Sequence, residues 1–227
     1  MSTFLFAFIL AMQSQTPTPP APQPPPLQNE SVGGREITPA HETYDENFVV
    51  SDSRARIAIQ NYGACAAGRS GSAAADVLTR DFRSRQYQQG LRVLSRNNED
   101  CFRRRGRLRS HNLLFAGAMA EHLIEQPAEP LNIRLARAAT RPATQAFSPT
   151  DRIAICVVRS VPDDVARLFA TDVASDAETQ AAQGLTAIVV RCNREGHQLQ
   201  VSPAGLRAML ATAAFRTLQA STAEARN

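Results

Sequence analysis

Apolar residues make up 43% of the 227 positions, aromatics only 6%, and Trp is absent. Apolar content that is rich in alanine and poor in aromatics favours closely packed helices and argues against a sheet protein. The net charge is +4 and all 25 basic residues are arginine, without the interleaved aromatics that a nucleic-acid surface needs, so nucleic acid is not an expected partner.

The chain opens with an apolar segment carrying Phe4, Leu5, Phe6, Phe8, Ile9 and Leu10. As a helix of about nine apolar residues it reaches roughly 14 Å, against about 30 Å of membrane hydrocarbon, so no transmembrane span is expected. Residues 1–14 read as a signal-peptide-like segment, although Lys and Arg are missing before the apolar run and no clean Ala-x-Ala follows it. The competing reading is an apolar terminus of a cytoplasmic protein. Residues 15–50 follow as a Pro-rich linker, with Pro24, Pro25 and Pro26 consecutive, and an acidic lead-in with Glu36, Glu42, Asp45 and Glu46. An extended tether is the expectation, with a ligand for an SH3-type domain as the sharper alternative.

Residues 51–220 hold the expected globular part. Cys65 and Cys101 are separated by 36 positions, as are Cys156 and Cys192, with the second pair displaced by 91. Arg56-Ile57-Ala58-Ile59 is repeated at Arg152-Ile153-Ala154-Ile155, Asp81-Phe82 at Asp172-Val173, Gly90-Leu91 at Gly184-Leu185, and Arg69-Ser70 at Arg159-Ser160. The domain therefore reads as two tandem, pseudo-symmetric units, 51–126 and 148–220, joined by a connector at 127–147 and followed by a tail at 221–227.

Each unit reads as about four short helices. In the first unit they run near Ser53 to Ala66, Ser72 to Phe82, Arg85 to Arg96, and onward from Ser110. Tyr87, Leu91 and Leu94 share one face of the third. In the second unit Asp151 to Val158 comes first, Pro162 opens the next helix, Ser175 with Glu178 forms a capping box, and Ser202-Pro203 opens the last. Arg107 to Arg109 and Gln198 to Val201 are the one place where short extended pieces compete.

The repeat argues for the disulfides Cys65–Cys101 and Cys156–Cys192, each closing one unit, with buried free thiols and a metal site as the competing readings. Local ligand pairs such as Cys-x-x-Cys are absent, so neither metal nor cofactor is expected. Disulfides persist in oxidising compartments, which agrees with a periplasmic or secreted location.

Charge is distributed unevenly. Residues 52–126 carry 13 Arg against 7 acids, and residues 148–220 carry 7 of each. The excess lies in Arg103, Arg104, Arg105, Arg107 and Arg109, followed by His111 and Asn112. A set of guanidinium forks suits phosphate or carboxylate, so these seven residues are the candidate anion-binding set, with an anionic lipid or cell-wall polymer as the expected partner. The bland alternative is a solvated loop whose arginines pair with Glu99, Asp100 or Glu121. His111 and His122 lie about 16 Å apart along one helix, too far to share a metal. Ser70 and Ser160 read as a shared helix cap, and Asp81 and Asp172 as caps or arginine partners.

Tyr62-Gly63-Ala64-Cys65 and Asn112-Leu113-Leu114-Phe115-Ala116-Gly117-Ala118 resemble segments of small exported alphaproteobacterial proteins, over about residues 50–220. The resemblance implies export and duplication; it brings no activity and no catalytic residue. The expected function is an exported binding or scaffolding module. A small hydrolase with its site between the units and a purely structural dimer are the alternatives, and catalytic residues are not identifiable.

Overall fold

The computed structural model describes residues 52–102, 112–196 and 201–224. All of them fall in the second of the chain's two parts, which begins at Glu46. The expected reading of residues 1–50 as signal and linker, together with Arg103 to Arg109, His111 and nearly all of the extended-pair reading, lies outside the described residues.

The fold is all-helical, with no strand among the described residues. The first half contains α1 (Asp52–Arg69), α2 (Gly71–Thr79), α3 (Arg85–Asn97), a 3-10 turn at Glu99–Cys101, and α4 (Asn112–Glu125). Then come α5 (Leu131–Ala139), α6 (Pro149–Ser160), α7 (Pro162–Phe169), α8 (Asp176–Gly184), α9 (Thr186–Cys192) and α10 (Pro203–Glu224). The disulfides are Cys65–Cys101 and Cys156–Cys192, one in each half.

Short polar signals start these helices. The hydroxyls of Ser84, Ser148 and Ser175 accept from the N–H groups of Tyr87, Asp151 and Glu178, each at 3.1 Å, and Ser202 accepts from Gly205 at 3.1 Å. Pro149 and Pro162 sit in the first turns of α6 and α7, where a missing N–H costs nothing.

The core is built on α4 and α10. Phe115 to Glu121 are buried in an unbroken run on α4, and Ala213 to Leu218 on α10, so both helices are enclosed on nearly every side. They touch where side chains are smallest. A Cβ added at Gly117 would fall 2.5 Å from Ala208 Cβ and 2.6 Å from its Cα. Across α4, a Cβ at Gly63 of α1 would meet Ala118 Cβ at 2.4 Å, so α1 also lies backbone-close. On the other side α10 packs against α6, while α2 with α3, and α5 with α7 and α8, close the flanks.

Ser84 and Ser175, 91 residues apart, each cap a helix, and their N–H groups donate to the Asp81 and Asp172 carbonyls at 2.9 and 3.3 Å. A displacement of 91 takes Leu94 to Leu185, so the Gly90-Leu91 match to Gly184-Leu185 needs a gap of three residues.

Three local expectations are corrected. Residues 127–147 are not only a connector, because α5 lies there and buries Leu135 and Ala138. The helix expected to run on from Ser175 through Val189 is interrupted at Leu185, where α8 ends and α9 begins. Ser70 and Ser160 are not a shared cap: Ser70 precedes α2 without a capping bond, and Ser160 is the last residue of α6. Asp81 lies beyond the end of α2, in a turn where it accepts from the Arg83 N–H at 2.9 Å, and it does have an arginine partner, pairing with the Arg83 side chain at 3.1 Å. Its carboxyl is held below the usual range by its hydrogen bonds with the Arg83 side chain and backbone.

Candidate functional site

Two pockets lie between elements of the first and second halves, and they have opposite contents. The first is bounded by α1, α4, the turn before α8 and α10. Here Arg207 reaches inward from α10, and its Nε donates to Glu121 at 2.9 Å while its second terminal nitrogen bonds the other carboxylate oxygen. The same guanidinium donates to the carbonyls of Thr171 and Phe169, at 3.0 and 3.1 Å, and lies 3.5 Å from Glu178. Arg56 closes the other side of Glu178 at 2.6 and 2.7 Å, and the Ala174 N–H donates to Glu178 at 2.9 Å. Glu178 is fully buried, and Glu121 and Arg207 nearly so.

Burial alone would pull the Arg207 pKa down; its hydrogen bond and charge interaction with Glu121, with help from Glu178 and Glu125, more than offset this and hold it above the ordinary value. The Glu125 pKa is raised as well, by desolvation and by the neighbouring Glu121, which disfavours its charged form. About 20 Å³ of space remains here, room for about one water. The expected capping box is thus half formed. Ser175 caps α8, but Glu178 turns to the Ala174 N–H and Arg56 instead of to Ser175. Glu121, weighed as a partner for the arginine-rich segment, is bound by Arg207.

The second pocket is open, with a cavity of about 290 Å³ between α2, α3 and the start of α4 on one side and α6 and α10 on the other. Leu113, Met209 and Thr212 line it where Ala204, Ala118 and Glu121 line the closed one, each pair displaced by 91. The same displacement takes Tyr87 to Glu178 and Ala116 to Arg207. The groups that plug the first pocket are therefore lacking in the second. Leu78, Phe82, Ala154 and Met209 give the cavity apolar walls; Arg80, Gln88, Asn112, Asp151 and Arg216 give it polar ones.

The charged pair of this cavity is locked. Arg216 bonds Asp151 Oδ1 and donates to the Gln145 carbonyl at 3.1 Å, and its guanidinium lies 4.9 Å above the Phe147 ring. The second Asp151 oxygen accepts the Phe147 N–H at 2.8 Å, so both carboxylate oxygens are hydrogen-bonded. Phe147 meets Phe82 edge-on at 5.9 Å. Tyr87, 6% exposed, has no hydrogen-bond partner for its hydroxyl among the described residues, yet that oxygen is not sealed away: the side chain lines the cavity. Burial pushes its pKa up to about 12, against the pull of the Arg216 charge, so it remains a proton donor.

Asn112 is the member of the candidate anion-binding set that lies within the described residues. It is at the rim of this cavity, bonded through its side-chain amide to Gln88. Tyr87, Arg216 and Asp151 were not legible as site residues. Tyr87 reads as one more core position of α3, and the partners of Arg216 are up to 71 residues distant. The remaining sizeable depressions, of about 520 Å³ and 430 Å³, are open grooves on α3, with rims of polar side chains such as Gln86, Gln89 and Arg92. Among the described residues no group of three or more His, Cys, Asp or Glu could hold a metal, and no helix is long and apolar enough to cross a membrane. Comparison with family models, with curated proteins and with solved structures finds no match to this chain.

Proposed function

We propose that this chain is an exported helical binding module, made by duplication of a disulfide-closed half, and that it holds a small ligand in the cavity between the halves. The carrying observation is the contrast between the pockets: one is filled by Arg56, Glu121, Glu178 and Arg207, while the other keeps about 290 Å³ open, lined by Tyr87, whose hydroxyl no described residue bonds. That volume is near the lower bound of about 300 Å³ usual for small-molecule sites. Two disulfides favour an oxidising compartment, which supports a periplasmic or secreted location. Arg103, Arg104, Arg105, Arg107, Arg109 and His111 remain, on their charge, the proposed contact with anionic lipid or cell-wall polymer. The hydrolase alternative has less support, because the Asp151 carboxylate beside the cavity is fully engaged.

The test is to produce the full chain with its own N-terminus, recover it from the periplasm, unfold it, and weigh what is released. A small molecule should leave the native protein in near-equal amount and be missing from Thr212→Phe, whose ring would fill the cavity. Cytoplasmic retention of the chain with its apolar start uncleaved would overturn export. If native protein and variant release the same material, the cavity is not the site.

A further inference from the structure

We propose that the cavity takes a compact monocarboxylate, its anionic head hydrogen-bonded by the Tyr87 hydroxyl on the side of Arg216 and its aliphatic or aromatic body against Leu78, Phe82, Ala154 and Met209. The proposal deepens the small-ligand reading above and rests on it.

Three observations fix the ligand class. First, the Tyr87 hydroxyl is bonded by no described residue, and its side chain lines the cavity. An acceptor there can take a hydrogen bond from it, and a charged acceptor gives the stronger bond. The acceptor carboxylate already in the wall, Asp151, is consumed by Arg216 and by the Phe147 N–H, so the cavity has no free anion with which to hold an ammonium group.

Second, the charge is right for one negative group and not two. Arg216 and Arg80 both line the cavity, but Asp151 is paired with the first and Asp76 with the second. With both guanidiniums already paired, a phosphate dianion would bring two unbalanced charges into the cavity and a carboxylate only one.

Third, the closed pocket shows what the open one lacks. The position of Tyr87 is taken there by Glu178, and that carboxylate is held by Arg56 and Arg207. The apolar walls then account for the rest of the molecule, and the volume limits it to a compact one.

The experiment is calorimetric titration of the oxidised full chain with hexanoate, octanoate and benzoate, and with methyl hexanoate, hexanol and hexylamine as matched controls. At least one acid should bind saturably at one site, with the methyl ester about tenfold weaker or worse. Tyr87→Phe should weaken the acid by a similar factor, and Leu113→Trp at the rim should abolish binding, neither lowering the melting temperature. If the ester, alcohol or amine binds as tightly as the acid, and Leu113→Trp still blocks it, the carboxylate is wrong and the site survives. Acid binding indifferent to both substitutions overturns the placement of the ligand. If no probe binds, the monocarboxylate is overturned, and release of material from the native protein decides separately whether the cavity binds anything.

Discussion

At the scale of single residues, buried charge decides which space in this molecule is full. Glu121 and Arg207 are each less than 5% exposed and make paired hydrogen bonds, so neither charge is tolerable without the other. Breaking such a pair from one side costs about 3–5 kcal/mol. Glu178 at 3.5 Å takes up part of the orphaned guanidinium's charge, so Glu121→Leu should lose about 3 kcal/mol in urea unfolding. A loss below the cost of an ordinary surface substitution would show that the pair is not buried as described.

Tyr87 gives a pH test with a definite sign. Its folded pKa, about 12, lies above the ordinary 10.0 because burial penalises the phenolate. The stability it contributes is therefore complete below pH 10 and is lost as the pH rises from there through about 12. In a difference titration against Tyr87→Phe, its phenolate absorbance should appear near pH 12 or only on alkaline unfolding. Ionisation at pH 10 in the folded protein would mean that the hydroxyl is not buried.

At the scale of elements, the close approach of α4 and α10 is set by one missing methyl. Gly117→Ala would place a Cβ 2.5–2.6 Å from Ala208, against backbone-bound atoms that cannot rotate away. The helices must separate, at a cost of about 1–3 kcal/mol. Gly184 in α8 is the control: nothing lies within 4 Å of an added Cβ, so Gly184→Ala should stabilise by up to about 1 kcal/mol through helix propensity. Equal effects from the two, measured by thermal or urea unfolding, would contradict this helix crossing.

Elements with a local signature were legible in advance, and those without were not. Pro162, Ser175 and Ser202 mark helix starts because capping is a contact between residues two or three apart, and Tyr87, Leu91 and Leu94 show the period of α3. The α5 helix was missed because Pro127, Pro130 and Pro142 around it imitate a loop. Its last turn is fastened by a distant residue instead: Arg159 donates to the carbonyls of Ala138, Ala139 and Arg141 at 2.7–3.3 Å.

At the scale of the molecule, each half is closed by a bridge spanning 36 residues, worth about 4 kcal/mol through the entropy of the unfolded chain. Replacing either pair of cysteines by alanine should cost about 2–4 kcal/mol, and the two losses should add, since the loops do not overlap. Urea unfolding of each double variant, and of the native protein with and without reductant, checks this. Peptide mapping without reduction should recover Cys65 linked to Cys101 and Cys156 to Cys192; a bridge between halves would overturn the arrangement.

What the amino-acid order determined by itself was the helical class, the disulfide pairing and most of the helix starts. Each follows from spacing, composition or a contact between near neighbours. Which inter-half pocket is closed and which is open belongs to the tertiary structure alone. Arg56 meets Glu178 across 122 residues and Arg207 meets Glu121 across 86, and no periodicity announces either pair. Only when the chain is folded do these side chains fill one space and leave the other, with Tyr87 in its wall, unfilled by side chains.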